Sequence, residues 1–327
     1  MLALLAALLA VLEIVTRVKL YAMSSDFSTF LSYAGRAADL SRRGGLRLAI
    51  VGNSVAHEGI DPGVFAERLR DITRRETFAD AFTVNHSFIE TWYHMLRHYL
   101  WQPGYSVDLV VLPFWRNNLE DGNPLEIGRL AQFFTTFADW SEVLHGDLRT
   151  TAQRLDFVTS GVWATYAARD HIREFLFTRA FPGYQDFVRA EQAAALSRDQ
   201  AATASRRSRV RPSFRTLDRL LREARAHGAA LCFVAMPTLH PEWNDPYTEV
   251  RSRIAEAGMA YLDLRGLSEM NERRYVDRVH MNDSGRSLFS RRLAENLAPI
   301  LQTEVASPRA SPVLAPAADF RYEAPRW

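Results

Sequence analysis

From Leu46 to about Leu301 the chain alternates short, almost unbroken apolar runs with amphipathic stretches of helical period, and few folds accept that rhythm. A strand that is apolar without alternation needs cover on both faces, which helices crossing over a parallel sheet supply. Strands are predicted over 46–51, 82–84, 107–113, 230–236 and 260–264. Helices are predicted over 63–72, 91–101, 214–227 and 247–258, with a last one running from an Asp283 N-cap to about 301. Pro62 suits a first helical turn, Val64, Phe65, Leu69 and Ile72 then share one face, and Gly228 is a helix stop signal. The reading is a doubly wound α/β fold with a parallel sheet.

Between about 119 and 211 the rhythm breaks into long helical or irregular stretches that end in a polar linker, 197–211. This is read as a helical insertion whose aromatic residues, Trp140, Trp163, Tyr166, Phe175, Phe177 and Phe181, are expected to pack its own core. Residues 1–23 are expected to be an N-terminal membrane anchor. The run Met1 to Val15 is apolar apart from Glu13, and Arg17, Lys19 and Tyr21 are suited to a membrane interface. The α/β domain is assigned to 24–302, and the Pro-, Ala- and Ser-rich stretch 303–327 to a disordered tail.

Composition narrows the function. At 327 residues, 47% hydrophobic and 24% charged, the chain is neither wholly disordered nor a multi-span membrane protein. Lys+Arg 40 against Asp+Glu 38 gives +2, which implies no nucleic-acid partner. Cys232, the only cysteine, lies in an apolar run, so an internal disulfide and a cysteine-rich zinc site are both excluded. His94 and His98 stand four apart on a predicted helix without the Glu of a His-Glu-x-x-His zinc motif; they, His57, His86 and His240 are read as packed or solvated, and no cofactor or metal is expected.

Ligands of an open parallel sheet bind beyond the carboxyl ends of its strands, which directs attention to three segments. Gly52-Asn53-Ser54 follows the first strand, Trp115-Arg116-Asn117-Asn118 the third, and Asp277-Arg278-Val279-His280 precedes the last helix. A serine hydroxyl becomes a nucleophile when a neutral imidazole takes its proton and a carboxylate fixes the imidazole tautomer. Asp277 and His280 supply both groups, Ser54 the hydroxyl, and the Ser54 N–H with an Asn117 amide the donors for an oxyanion. The Gly52 turn carries neither G-x-G-x-x-G nor Gly-Lys-Ser/Thr, which argues against a nucleotide site.

The order of these segments resembles the SGNH, or GDSL-like, hydrolases over roughly 46–301, with Asp277 to Gly285 the most specific part. The resemblance implies a flavodoxin-like three-layer α/β/α sandwich and ester hydrolysis or acyl transfer, with Ser54 as nucleophile, His280 as base, Asp277 as its orienting group and Asn117 as oxyanion donor. Three positions depart from the family pattern. Asn53 stands where Asp is usual, Trp115-Arg116-Asn117-Asn118 replaces Gly-x-Asn-Asp, which leaves Asn118 open as the donor, and no glycine is evident after Asn85-His86-Ser87. The layout is similar to membrane-attached family members that modify cell-envelope polysaccharides beside a membrane-bound O-acyltransferase. It implies an acylated (acetylated) carbohydrate substrate and an extracytoplasmic domain; the alternative is a catalytically inactive member that binds glycan or the acyltransferase.

Overall fold

The computed structural model describes residues 1–184, 186–188, 190, 212–239 and 248–305. The expected 197–211 linker, His240 and nearly all of the expected tail lie outside the described residues. The chain divides into two compact units, one made of Met1–Phe30 and Glu126–Ser213, the other of Leu31–Leu125 and Phe214–Trp327.

The second unit holds the sheet. Strands β1 (Leu46–Gly52), β2 (Thr77–Thr83), β3 (Leu109–Phe114), β4 (Leu231–Ala235) and β5 (Ala260–Asp263) pair in the order β2-β1-β3-β4-β5, all parallel. This is the flavodoxin-like strand order. Side chains alternate across it. Leu48, Ile50, Val111, Cys232 and Val234 enter one core with Phe65 and Leu69 of the helix Pro62–Thr73 and Phe289, Leu293 and Leu297 of the helix Asp283–Val305. Ala49, Val51, Val110, Leu112 and Phe233, the intervening residues, are equally buried, and on that side the helix Ile89–Leu96 packs against β1 and the helix Arg215–Ala226 packs on Ile89–Leu96. Removing a large side chain from either core costs on the order of 2–5 kcal/mol.

Four strands match their expected positions to within two residues; β2 begins five residues before its expected start. β2 is an edge strand whose middle residues are only half-buried, so it lacks the apolar run of a covered strand. Its Asp80 accepts from Arg36 Nε at 3.0 Å, and Tyr33 Oη donates to the Thr83 carbonyl at 2.6 Å. The N-cap of the last helix is Asn282 rather than Asp283: its Oδ1 accepts the Gly285 N–H at 3.0 Å, and Asp283 is the first helical residue.

The first unit contains no strand among its described residues. Its N-terminal helix, Leu2–Val15, continues through a π turn, Thr16–Leu20. Among the described residues no helix is long and apolar enough to cross a membrane. Glu13 accepts the backbone N–H groups of Ala164 and Thr165, each at 2.9 Å, and so caps the short helix Ala164–Ala167, while Arg17 Nε donates to the same carboxylate at 2.7 Å. Tyr21, Phe27, Phe30 and Phe133 form a buried aromatic cluster. The aromatic residues expected to fill this segment's own core divide: Trp163 and Tyr166 stack on one another, half-buried, and Trp140 packs on the buried Phe157, but Phe175, Phe177 and Phe181 are exposed. Sequence period cannot say which side of a marginal helix is covered, and these three lie on a helix, Arg169–Ala180, that has no buried residue.

Candidate active site

β1 ends at Gly52, and the chain turns at once into the short helix Ser54–Gly59. Gly52 is required by crowding, since a side chain there would meet the Ala56 Cβ at 2.5 Å. Asn53 is the N-cap: its Oδ1 accepts the Val55 N–H at 3.1 Å. Ser54 is thereby fixed at the first helical position. No acceptor among the described residues takes its N–H, as first-turn position dictates.

Across 226 residues of sequence, the Ser54 hydroxyl lies 3.0 Å from His280 Nε2. The other ring nitrogen, Nδ1, is 2.7 Å from Asp277 Oδ2. The second carboxylate oxygen accepts the backbone N–H groups of Val279 and His280, both at 2.7 Å, which folds the Asp-x-x-His segment back on itself. Burial, the largest single influence, pushes the Asp277 carboxyl up. The bonds from the His280 ring and from the two backbone N–H groups together outweigh it and hold the group below its ordinary value. An ionised Asp277 on Nδ1 selects the tautomer that presents a lone pair from Nε2 to Ser54.

The loop carrying these two residues is pinned from several sides. Val276 N–H donates to the His280 carbonyl at 2.9 Å, Tyr275 Oη to the Pro237 carbonyl at 3.0 Å, and Asn282 Nδ2 to the Arg273 carbonyl at 2.8 Å. Gly285 leaves room for this turn, because a side chain there would overlap the Arg274 carbonyl.

Three turns at the carboxyl end of the sheet are bonded to one another. Asn53 Nδ2 donates to the Ser87 carbonyl at 3.3 Å, and the Ile89 N–H to the Asn118 carbonyl at 2.9 Å. His86 has φ +57°, a left-handed conformation that usually favours glycine and that His adopts more readily than most residues. The N–H groups of His86 and Ser87 meet no acceptor among the described residues. An Asn-His pair after a strand was the available signal for this turn, and the sequence reading left it unassigned.

The structure distinguishes the two asparagines after β3. Asn117, the expected oxyanion donor, is half-buried and donates its amide to Asn123 Oδ1. Asn118 is buried, its Oδ1 accepts the Trp115 N–H at 3.0 Å, and its Nδ2 has no acceptor among the described residues. His57 is exposed, with Nδ1 3.3 Å from Thr83 Oγ1, and His94 is buried in the helix Ile89–Leu96. Among the described residues no group of three or more His, Cys, Asp or Glu side chains is arranged to hold a metal.

No protein-family model matches the chain, and no curated protein matches it. Solved structures that resemble it include an α/β hydrolase enzyme from the metagenome of Lake Arreo, Spain, at 12% identity and a TM-score of 0.39, covering 80% of this chain and 98% of that one. A lipase/acylhydrolase from Enterococcus faecalis aligns at 11% identity with a TM-score of 0.37, over 78% of this chain and 97% of its own. The acetyl xylan esterase AlAXEase aligns at 10% identity with a TM-score of 0.35, over 76% and 98% respectively.

Proposed function

We propose that the chain is an SGNH-type serine esterase or O-acyltransferase acting on short acyl esters, acetyl foremost, of a carbohydrate such as a cell-envelope polysaccharide. The observation that carries the reading is the continuous hydrogen-bonded line Asp277–His280–Ser54, assembled from the two sequence segments of the sheet-bearing unit. In the first half-reaction Ser54 Oγ attacks the ester carbonyl as His280 Nε2 takes its proton, and the tetrahedral oxyanion collapses with expulsion of the sugar hydroxyl, which receives that proton from His280. In the second half, water or another sugar hydroxyl gives its proton to His280 and attacks the acyl-Ser54 ester; the acyl–Oγ bond then breaks, His280 returns the proton to Ser54 Oγ, and the acid or the new ester leaves. Ser54 N–H is the first oxyanion donor. For the second, the spare amide hydrogens of Asn118 support that residue over Asn117, and the His86 and Ser87 N–H groups complete the set.

The His280 side chain is 32% exposed and that of Asp277 53%, which supports an ester carried on a polymer rather than a small molecule engulfed in a cavity. The reading extends to the N-terminal helix as a membrane anchor, with the catalytic unit on the extracytoplasmic side and a membrane-bound O-acyltransferase as partner. The test is fluorophosphonate labelling of the purified chain beside Ser54→Ala and His280→Ala, with turnover of p-nitrophenyl acetate. Labelling and turnover should vanish in Ser54→Ala, and the double variant should lose no more than either single one. An unlabelled, folded parent chain would sink the catalytic reading in favour of a glycan-binding one.

A further inference from the structure

The exposed large apolar side chains are unevenly divided. All but Leu31 and Val276 belong to the unit formed by Met1–Phe30 and Glu126–Ser213. Most fall in two stretches of that unit, with Val18, Met23, Phe137, Leu155 and Val162 exposed outside them. In the helix Leu2–Val15 every residue from 3 to 12 is exposed, including Leu4, Leu5, Leu8, Leu9, Val11 and Leu12. A groove on a protein covers one stripe of a helix, whereas a helix apolar on all sides is matched by lipid. The second stretch begins where the first is tied down. Glu13 caps the helix Ala164–Ala167, and Ala168, which follows it, accepts the Ile172 N–H of the helix Arg169–Ala180. That helix carries Phe175, Leu176 and Phe177 exposed in succession, and Phe181 and Phe187 follow, also exposed. Two of its arginines have carboxylate partners, Arg173 with Asp170 at 3.0 Å and Arg169 with Asp156 at 3.1 Å, and the Arg179 guanidinium lies 3.6 Å from the Phe175 ring centroid.

We infer that the helix Arg169–Ala180 with Phe181 forms a second membrane-contacting element, an interfacial segment that lays Phe175, Leu176, Phe177 and Phe181 into the bilayer that the N-terminal helix enters. The inference rests on the reading of that helix as an anchor and adds a contact to it. Aromatic and leucine side chains interspersed with arginines, whose stems can reach toward headgroups, suit the boundary of headgroup and acyl chain. The attraction of Phe175, Leu176, Phe177 and Phe181 is apolar, so zwitterionic lipid suffices. Glu13, the one acid within the apolar helix, is offset because three N–H and O–H donors, from Ala164 and Thr165, together with Arg17, satisfy it.

The full chain offers a direct test, since Cys232 is buried and a new surface cysteine is then the one that labels. Leu8→Cys and Leu176→Cys, each carrying a nitrobenzoxadiazole label, are incorporated into phosphatidylcholine vesicles with or without nitroxide on the acyl chains. Both labels are expected to shift to the blue and to be quenched severalfold by the nitroxide. Quenching at Leu8 alone would overturn the inference and leave the anchor intact. Quenching at Leu176 alone would remove the anchor and with it the inference of a second contact beside it, and quenching at neither would likewise overturn both. A blue shift at Leu176 without quenching would mean that protein, such as a second copy of the chain, covers the segment, and would overturn the inference.

Discussion

Asn53 Nδ2 donates to the Ser87 carbonyl, so the turn that presents Ser54 is tied through a side-chain amide to the loop after β2. The same side chain accepts from Val55 N–H, so its nitrogen and its oxygen are engaged on two different partners, which a carboxylate cannot match. Asp, the usual residue here in the resembling family, would keep the acceptor and set a carboxylate oxygen against a carbonyl in a site that is 5% exposed. Asn53→Asp is therefore expected to lose about 1–3 kcal/mol of stability, read by urea unfolding, together with part of the turnover. Unchanged stability in the Asp variant would show that the Ser87 contact is not a fitted one.

The amide of Asn118 is held by its oxygen and has its nitrogen to spare, while that of Asn117 is engaged with Asn123. Asn118→Asp keeps the acceptor for Trp115 and deletes the donor. It is expected to lower kcat on the order of 10²–10³, more than the stability lost by burying a carboxylate accounts for, whereas Asn117→Ala costs far less. The reverse order would return the oxyanion role to Asn117.

Legibility followed burial. β1, β3 and β4 are covered on both faces and read directly as apolar runs, but β2 hides its first five residues because an edge strand can mix Thr, Asp and Ala. The candidate triad residues were legible for a related reason: each follows a strand or precedes a helix, and the topology that gathers those ends was itself readable. Which of two adjacent asparagines has a spare donor depends on Trp115 and Asn123, contacts that no spacing encodes. The exposed faces of Phe175 and Phe177 were equally hidden, because an apolar residue has the same letter whether it meets protein or solvent.

The Asp277 carboxyl is held below its ordinary value, with burial opposing and the His280 and Val279 bonds prevailing. A lowered value in the folded state stabilises the fold above the unfolded value of about 3.9, and this contribution is lost as pH falls through the folded one. Asp277→Asn removes it at every pH. The melting-temperature gap between the parent and Asp277→Asn is therefore expected to be constant from neutral pH down to about 5 and to close below about 4. A gap independent of pH would mean that the ionised carboxylate gives the loop no net support.

Gly285, two residues inside the last helix and without a side chain of its own, is expected to matter as much as a loop residue that touches His280 or Asp277. A Cβ there would overlap the Arg274 carbonyl, which also accepts the Asn282 N–H at 2.9 Å, and backbone cannot swing aside as a long side chain would. Relief requires moving the segment from Arg274 to Asn282, and with it Asp277 and His280. Gly285→Ala should therefore lower kcat by more than its modest loss of stability explains, since displacement of reacting groups by about 1 Å costs on the order of 10²-fold in rate. The control is Gly266→Ala, where an added Cβ meets nothing within 4 Å; it should leave turnover and melting temperature unchanged. Equal behaviour of the two variants would show that the close approach at Arg274 does not set the position of His280.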